Sequence, residues 1–277
     1  MLPIGLVQMR SGIDPRANAD TLRAAVSALA DDGAELVFTP EMSGLLDRNS
    51  ARLAGTVRSE AEDLSLAAVR EVALEKMVSV VIGSLAIAGS GGVANRCFVI
   101  GPDGAIAARY DKLHLFDVDL PNGDRYRESA TFVAGSQVQA VDFSWGRLGL
   151  AICYDVRFPA LFGALAMAGA SVISVPAAFT VPTGEAHWHV LLRARAIETG
   201  AYVVAAAQAG LHADGRETFG HSLVIDPWGR VLLDMGRDAG TARIDIDLAA
   251  VADTRARIPN LRHGKPLSDP VVATAGS

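Results

Sequence analysis

The chain has 277 residues, half of them hydrophobic and 20% charged, which excludes intrinsic disorder. Its formal net charge is −6, so no overall basic field exists for nucleic acid or an anionic membrane surface. Two cysteines cannot build a disulfide framework, which points to a reducing compartment, the cytoplasm. Met1-Leu2-Pro3-Ile4 lacks a basic region, and the apolar run stops at Gln8 and Arg10, so no secretory signal is expected.

Short β-branched runs alternate with helical patterns. The first strand is predicted over Ile4–Met9. A helix follows over Arg16–Asp31, with Leu22, Val26 and Leu29 on one stripe. The next strand, Glu35–Thr39, leads to a helix over Glu60–Lys76, with Leu64, Ala68, Val72 and Leu74 inward. Strands at Val78–Ser84 and Arg96–Ile100 flank Gly89-Ser90-Gly91-Gly92, which reads as a hairpin loop. It is no phosphate-binding loop, because no helix follows it and lysine is absent. Further strands are predicted at Leu148–Ile152, Val172–Val175, Tyr202–Ala206, Ser222–Ile225, Val231–Leu233 and Ala242–Ile246.

From Phe158 to Gly184 no residue is charged, a length sufficient for a membrane span. Pro159, Pro176 and Pro182, with Gly163 and Gly169 between them, divide it. A helix opened by Pro159 and closed by Gly169, then a buried strand over Val172–Val175, is the better account. No membrane span is therefore expected, and the stretch offers a contact surface or core.

Two segments echo each other. Ile4-Gly5-Leu6-Val7-Gln8 resembles Leu148-Gly149-Leu150-Ala151-Ile152, and each precedes a helix. Gly33-Ala34-Glu35-Leu36-Val37-Phe38-Thr39-Pro40 then matches Gly169-Ala170-Ser171-Val172-Ile173-Ser174-Val175-Pro176 in spacing. Two related βαβ units predict two sheets packed face to face with helices outside. No linker or charge block interrupts the chain, so residues 1–277 read as one domain, with the last ~10 residues as a tail.

Ligands in open α/β folds bind beyond the carboxyl ends of strands. Glu41 and Cys153 both follow apolar strands. Taken singly, one suits a helix or turn cap and the other an inert core position. Arg109-Tyr110-Asp111-Lys112-Leu113-His114-Leu115-Phe116-Asp117 sets a lysine among apolar neighbours, where an ammonium needs a carboxylate close by. Glu128 follows in a polar stretch. A Cys–Glu–Lys set makes chemical sense. The carboxylate takes the thiol proton, the ammonium favours the thiolate and steadies an oxyanion, and water hydrolyses the thioester. That is metal-free hydrolysis of an amide or nitrile.

Thr39-Pro40-Glu41, Tyr110-Asp111-Lys112-Leu113-His114-Leu115-Phe116-Asp117 and Gly149-Leu150-Ala151-Ile152-Cys153-Tyr154-Asp155-Val156-Arg157-Phe158-Pro159 resemble, in order, the three signatures of the nitrilase, or carbon–nitrogen hydrolase, superfamily. The resemblance runs from about Leu2 to Pro266 and includes Ala186-His187-Trp188 and Gly220-His221-Ser222. It implies a four-layer α-β-β-α sandwich of two mixed sheets, a Glu41 base, a Lys112 oxyanion stabiliser, a Cys153 nucleophile and an assisting Glu128. It also implies no cofactor or metal, and a homodimer or larger homo-oligomer.

Tyr154-Asp155 departs from the Trp-Glu of true nitrilases, and Val156-Arg157 departs from the paired arginines of D-amino-acid carbamoylases. The pattern is most similar to the Nit branch, whose members include amidases of deaminated glutathione and of α-ketoglutaramate. An amidase for a small carboxylate-bearing substrate is therefore expected. The alternatives are an N-carbamoyl amide hydrolase and a non-catalytic scaffold. Lys265-Pro266-Leu267-Ser268 departs from the branch's basic-Pro-Asp-Leu-Tyr stretch, which leaves the substrate less defined than the chemistry.

Tyr154 and Arg157 are the candidate substrate contacts; Arg157 binds a substrate carboxylate or pairs with a structural acid. Asp155 is expected to accept hydrogen bonds rather than catalyse. His114 has a structural or a catalytic role. His187 and His189 fall on different helix faces, so no shared zinc is expected, and His187 is expected to be packed. Trp188 and Trp228 are expected to pack, and Cys97 to be inert.

Overall fold

The computed structural model describes residues 1–120, 123–266, 268–270 and 272. Most of the expected tail therefore lies outside the described residues. The strands in chain order are β1 (Leu2–Gln8), β2 (Leu36–Phe38), β3 (Ser79–Gly89), β4 (Gly92–Ile100), β5 (Ile106–Asp111), β6 (Asp117–Asp119), β7 (Arg125–Arg127), β8 (Phe132–Val133), β9 (Ala140–Phe143), β10 (Gly146–Leu150), β11 (Ala170–Ser174), β12 (Tyr202–Ala205), β13 (Ala209–Leu211), β14 (Glu217–Phe219), β15 (Leu223–Ile225), β16 (Val231–Asp234) and β17 (Gly240–Ile246). The helices are α1 (Pro15–Asp31), α2 (Ser50–Thr56), α3 (Leu64–Lys76), α4 (Pro159–Met167), α5 (Val181–Thr183), α6 (His189–Thr199), α7 (Ala249–Arg257) and α8 (Asn260–His263). Among the described residues, no helix is long and apolar enough to cross a membrane.

Two large sheets form the centre. One runs β17-β1-β2-β3-β4-β5, with β8 beside β4, and the other runs β9-β10-β11-β12-β15-β16. Strand sense follows the same sequence in both: antiparallel, parallel, parallel, antiparallel, antiparallel. The echo seen in two βαβ units thus extends to six strands per sheet.

Side chains alternate across the pleat, as a period of two requires. Leu36, Phe38, Val81, Cys97 and Val99 point to the core shared with the second sheet. Val37, Val80, Ile82, Phe98 and Ile100 point outward to α1 and α3. On the far side α4 and α6 cover the second sheet through Leu161, Phe162, Leu165, Leu192 and Ala196. This is the four-layer α-β-β-α arrangement. A methyl at Gly5 would stand 2.9 Å from Leu29 of α1, and one at Gly149 3.1 Å from Leu165 of α4. Both glycines let a crossover helix lie close to its sheet.

Local chemistry sets the helix ends. The Asp14 carboxylate accepts from Arg16 N at 2.9 Å, with Pro15 in the first turn. The second long helix starts at Leu64 rather than Glu60, because Asp63 accepts from Leu66 N at 2.8 Å. Its buried stripe is Leu66, Val69, Val72 and Ala73, whereas Leu64 and Leu74 are 43% and 58% exposed. Glu60 instead pairs with Arg96 and Arg109. Trp228 does not pack either. It is 52% exposed, on a turn fixed by Asp226, whose carboxylate accepts from Trp228 N and Arg230 N at 2.9 Å each. Trp188 is fully buried, as expected.

Candidate active site

Each sheet delivers one reactive side chain from the end of a parallel strand. Glu41 follows β2. Thr39 N donates to Val81 O at 3.0 Å, and Thr39 Oγ1 accepts from Gly83 N at 3.1 Å, so the chain stays on the sheet. Then Met42 turns it at φ +54°. Met42 N donates to Ser84 Oγ at 2.9 Å, and Gln208 Nε2 donates to Glu41 O at 2.9 Å. Cys153 follows β10 at φ +50°. Left-handed backbone at a residue other than glycine costs about 1–3 kcal/mol and persists only where neighbours enforce it.

At Cys153 the neighbours are explicit. Cys153 N donates to Pro176 O at 2.8 Å. The buried Asp155 carboxylate accepts from Ile152 N at 2.9 Å, Tyr110 Oη at 2.7 Å and His114 N at 3.1 Å, and His114 Nδ1 lies 2.7 Å away. The His114 ring stacks on Phe158 at 3.5 Å. Asp155 thus accepts, as expected, and it ties the turn carrying Cys153 to the end of β5. Burial and Asp155 raise the Tyr110 hydroxyl pKa, so it stays a donor.

Lys112 directly follows β5 and is buried. Its Nζ lies 2.9 Å from Glu41 Oε1 and 2.8 Å from Glu128 Oε2. The carboxylates that the apolar setting of Lys112 demanded are these two. Asn95 of β4 closes the arrangement: its Nδ2 donates to Glu41 Oε1 and to Glu128 Oε1, both at 3.0 Å. Backbone amides complete it, Ala178 N to Glu41 Oε2 at 2.8 Å and Phe116 N to Glu128 Oε2 at 2.7 Å.

The electrostatics fix the resting protonation. Burial would raise the Glu41 pKa, but Lys112, with hydrogen bonds from Lys112, Cys153 and Asn95, holds it below the ordinary carboxylate range. Burial alone disfavours the Lys112 ammonium, yet Glu128, Glu41 and Cys153 keep its pKa well above the usual lysine value. Burial first and Glu41 second push the Cys153 thiol well up, and Lys112 offsets this only in part. The cluster rests as carboxylate, ammonium and thiol. The expected Cys–Glu–Lys set had the ammonium favouring the thiolate; here burial and Glu41 outweigh it, and the thiol keeps its proton at rest.

The cluster opens into a cavity of about 450 Å³. Glu41, Lys112, Glu128, Cys153 and Tyr154 all line it. Tyr154 meets Phe116 edge-on at 5.1 Å, and Phe116 and Tyr126 share that wall. Arg157 is not on the wall. Its guanidinium packs over the Tyr154 and Phe179 rings at 5.8 and 5.6 Å, and Nη2 lies 3.3 Å from His187 Nδ1. His187 is exposed rather than packed, because the turn before α6 directs it outward. Cys97 is buried on the inner face of β4, where burial raises its thiol pKa and keeps it inert.

Sequence reasoning missed Asn95 and Arg48. A buried asparagine inside the β4 pattern was a usable signal, since strands disfavour asparagine. Arg48 stands on the cavity wall with Arg125, Arg127 and Arg216. Arg127 is paired with Asp119 and Arg216 with Asp214, each at 2.8 Å, whereas the Arg48 guanidinium has no ion-pair partner among the described residues.

Residues 3–256 match the carbon–nitrogen hydrolase family. The chain is 40% identical to a deaminated glutathione amidase of Synechocystis sp., over 93% of this chain and 96% of that one. It is 37% identical to a deaminated glutathione amidase of Yersinia enterocolitica, over 96% of this chain and 93% of that one. Among solved structures it superposes on the C. elegans NitFhit protein with a TM-score of 0.88 at 36% identity. That match covers 95% of this chain but only 65% of the NitFhit chain. Fold, matched span and identity agree: the chain belongs to the carbon–nitrogen hydrolase family and is an amidase, a hydrolase of carbon–nitrogen bonds other than peptide bonds.

Proposed function

We propose that the chain hydrolyses the amide of a small carboxylate-bearing substrate, such as deaminated glutathione or α-ketoglutaramate, through a thioester on Cys153. The observation that carries this reading is the meeting of Cys153 and Glu41 on one cavity wall with Lys112, whose Nζ lies 2.9 Å from Glu41 and 2.8 Å from Glu128. Glu41 takes the thiol proton as Sγ attacks the amide carbon. Lys112 has three N–H donors. Glu41 and Glu128 take two directions, and the third meets the oxyanion. Glu41 then protonates the leaving nitrogen, and ammonia or an amine departs. A water gives its proton to Glu41 and attacks the thioester, and the thiol recovers its proton as the acid leaves. Glu128 and Asn95 hold Lys112 and Glu41 in register. No cofactor enters the scheme.

The cavity supports the substrate class. An enclosed charged tail needs a fixed partner, and guanidinium groups suit carboxylates. Arg48 is placed for that role, and Tyr154 and Phe116 supply the apolar wall. The test is product release from a panel of acidic amides, neutral amides, nitriles and ureido acids. Acidic amides should give the highest kcat/KM. Equal rates on neutral isosteres would refute the acidic preference, carbon dioxide release would favour a carbamoylase, and no release at all would favour a scaffold.

We further propose one catalytic domain and a homodimer or larger assembly in a reducing compartment, the cytoplasm. One core joins both sheets, both cysteines are free, and Met167, Val190 and Ile197 expose apolar surface on α4 and α6. A monomer in sedimentation at micromolar concentration would refute the assembly.

A further inference from the structure

Three donors converge away from the cavity wall. His189 Nε2 lies 3.0 Å from Asp234 Oδ2, and His221 Nδ1 lies 2.8 Å from Asp234 Oδ1. One ligand atom from each residue falls within 4.8 Å of the others. We propose that His189, His221 and Asp234 bind a divalent transition cation of the zinc class.

Ring geometry supports this. Zinc–nitrogen bonds of ~2.0–2.1 Å put a bound imidazole centroid roughly 3.2 Å from the ion, so a tetrahedral angle spaces two centroids about 5.2 Å apart. The His189 and His221 centroids are 5.2 Å apart, with the rings at 71°. Each ring presents one nitrogen to a different oxygen of Asp234, and a ring that carries its proton on the other nitrogen offers that lone pair to an ion entering between the rings and the carboxylate. Two imidazoles and a carboxylate are a donor set that zinc and its neighbours favour. Side-chain exposures of 35%, 21% and 34% for His189, His221 and Asp234 leave a path for the ion and room for water as a further ligand.

The donors are also preset. His221 sits at φ +53°, a conformation that a residue other than glycine keeps only under constraint. Its N donates to Gly236 O at 2.6 Å, its O accepts from Trp188 Nε1 at 2.8 Å, and its ring stacks on Phe219 at 4.4 Å. The buried Gln8 pins both supporting turns. It accepts from Ser222 N at 2.7 Å and donates to Gly236 O at 2.9 Å and Asp238 O at 2.8 Å. Gly236 N donates to Asp234 Oδ1 at 2.9 Å. Rigid support of this kind separates a ligand set from a chance surface cluster. The bound ion would clamp the start of α6 to the end of β16.

Calorimetric titration of the full chain with Zn²⁺, and with Co²⁺ as a visible-absorption probe, tests the site. The wild type should bind about one equivalent, and Co²⁺ should give the absorption of a four-coordinate centre. Asp234→Asn and His189→Gln should each weaken binding at least tenfold while amide turnover persists. His189→Gln changes a half-exposed helix position and keeps the fold, so it decides the matter if Asp234→Asn does not fold. No binding by the wild type, or equal affinity in both variants, would overturn the assignment.

Discussion

The unit β1–α1–β2 and the unit β10–α4–β11 have the same connectivity, the same strand sense and a glycine at the same close approach to the helix. Their strand ends do different work. The first unit ends Pro40-Glu41 and places a carboxylate in the cavity; the second ends Pro176-Ala177-Ala178 and offers only backbone. That backbone serves the other positions: Pro176 O accepts from Cys153 N, and Ala178 N donates to Glu41 Oε2. A near-symmetric scaffold thus supports an asymmetric reaction, because side chains at equivalent ends diverge while the main chain cross-braces them.

The sharpest break in that division is removal of the thiol. Cys153→Ala should lower turnover by about 10⁴–10⁶-fold, as expected for a covalent nucleophile. Only one sulfur is lost, so the urea midpoint should stay close to wild type. More than about 1% residual activity would refute covalent catalysis.

Lys112→Ala should abolish turnover and also cost about 3–5 kcal/mol, because Glu41 loses its buried cation. Urea unfolding at constant m measures this, and unchanged stability would mean the cluster relaxes to water. The pH dependence follows from the same pair. The Glu41 pKa is depressed in the fold, so its contribution is present above the unfolded value of 4.5 and lost as pH falls through the folded one. Glu41→Gln should therefore show a shallower loss of stability below pH 4.5 than wild type. The Lys112 contribution runs the other way, complete below 10.5 and lost only as pH rises well above it.

Asn95→Leu removes one amide that bridges both carboxylates and should lower kcat about 10–150-fold, with KM little changed, given about 1.5–3 kcal/mol for a hydrogen bond to a charged group. A change in KM alone would make Asn95 a substrate contact instead. The smallest effect is expected at the mouth. Arg48→Leu should reduce the preference for acidic over neutral amides by about tenfold, less than a buried contact because Arg48 is exposed. Arg157→Leu should leave the preference unchanged, and the reverse result would return the carboxylate contact to Arg157.

Periodicity made the long strands, α1 and the βαβ echo legible, because their apolar residues repeat with the element. The strands β5–β9, β13 and β14 were not, since polar or charged residues break up or border their apolar runs, as in Asp117-Val118-Asp119 and Arg125-Tyr126-Arg127. The start of α3 was misplaced by four positions because a single Asp63 cap overrides the apolar stripe. Glu41, Lys112 and Cys153 were legible as motifs and Glu128 only through the resemblance those motifs carry, and the structure brings all four to one cavity. Asn95 and Arg48 were not, since their meaning lies in contacts across the fold. Nor was the pairing of His189 with Asp234, 45 residues apart, which no local spacing displays.

Covalent catalysis requires one thioester shared by every substrate with the same acyl group. Hydroxylamine added during turnover should intercept it and yield hydroxamate beside the acid. Two amides with one acyl group and different leaving groups should give the same hydroxamate-to-acid ratio, and Cys153→Ala should give none. Ratios that differ with the leaving group, or hydroxamate formed without Cys153, would contradict the covalent account.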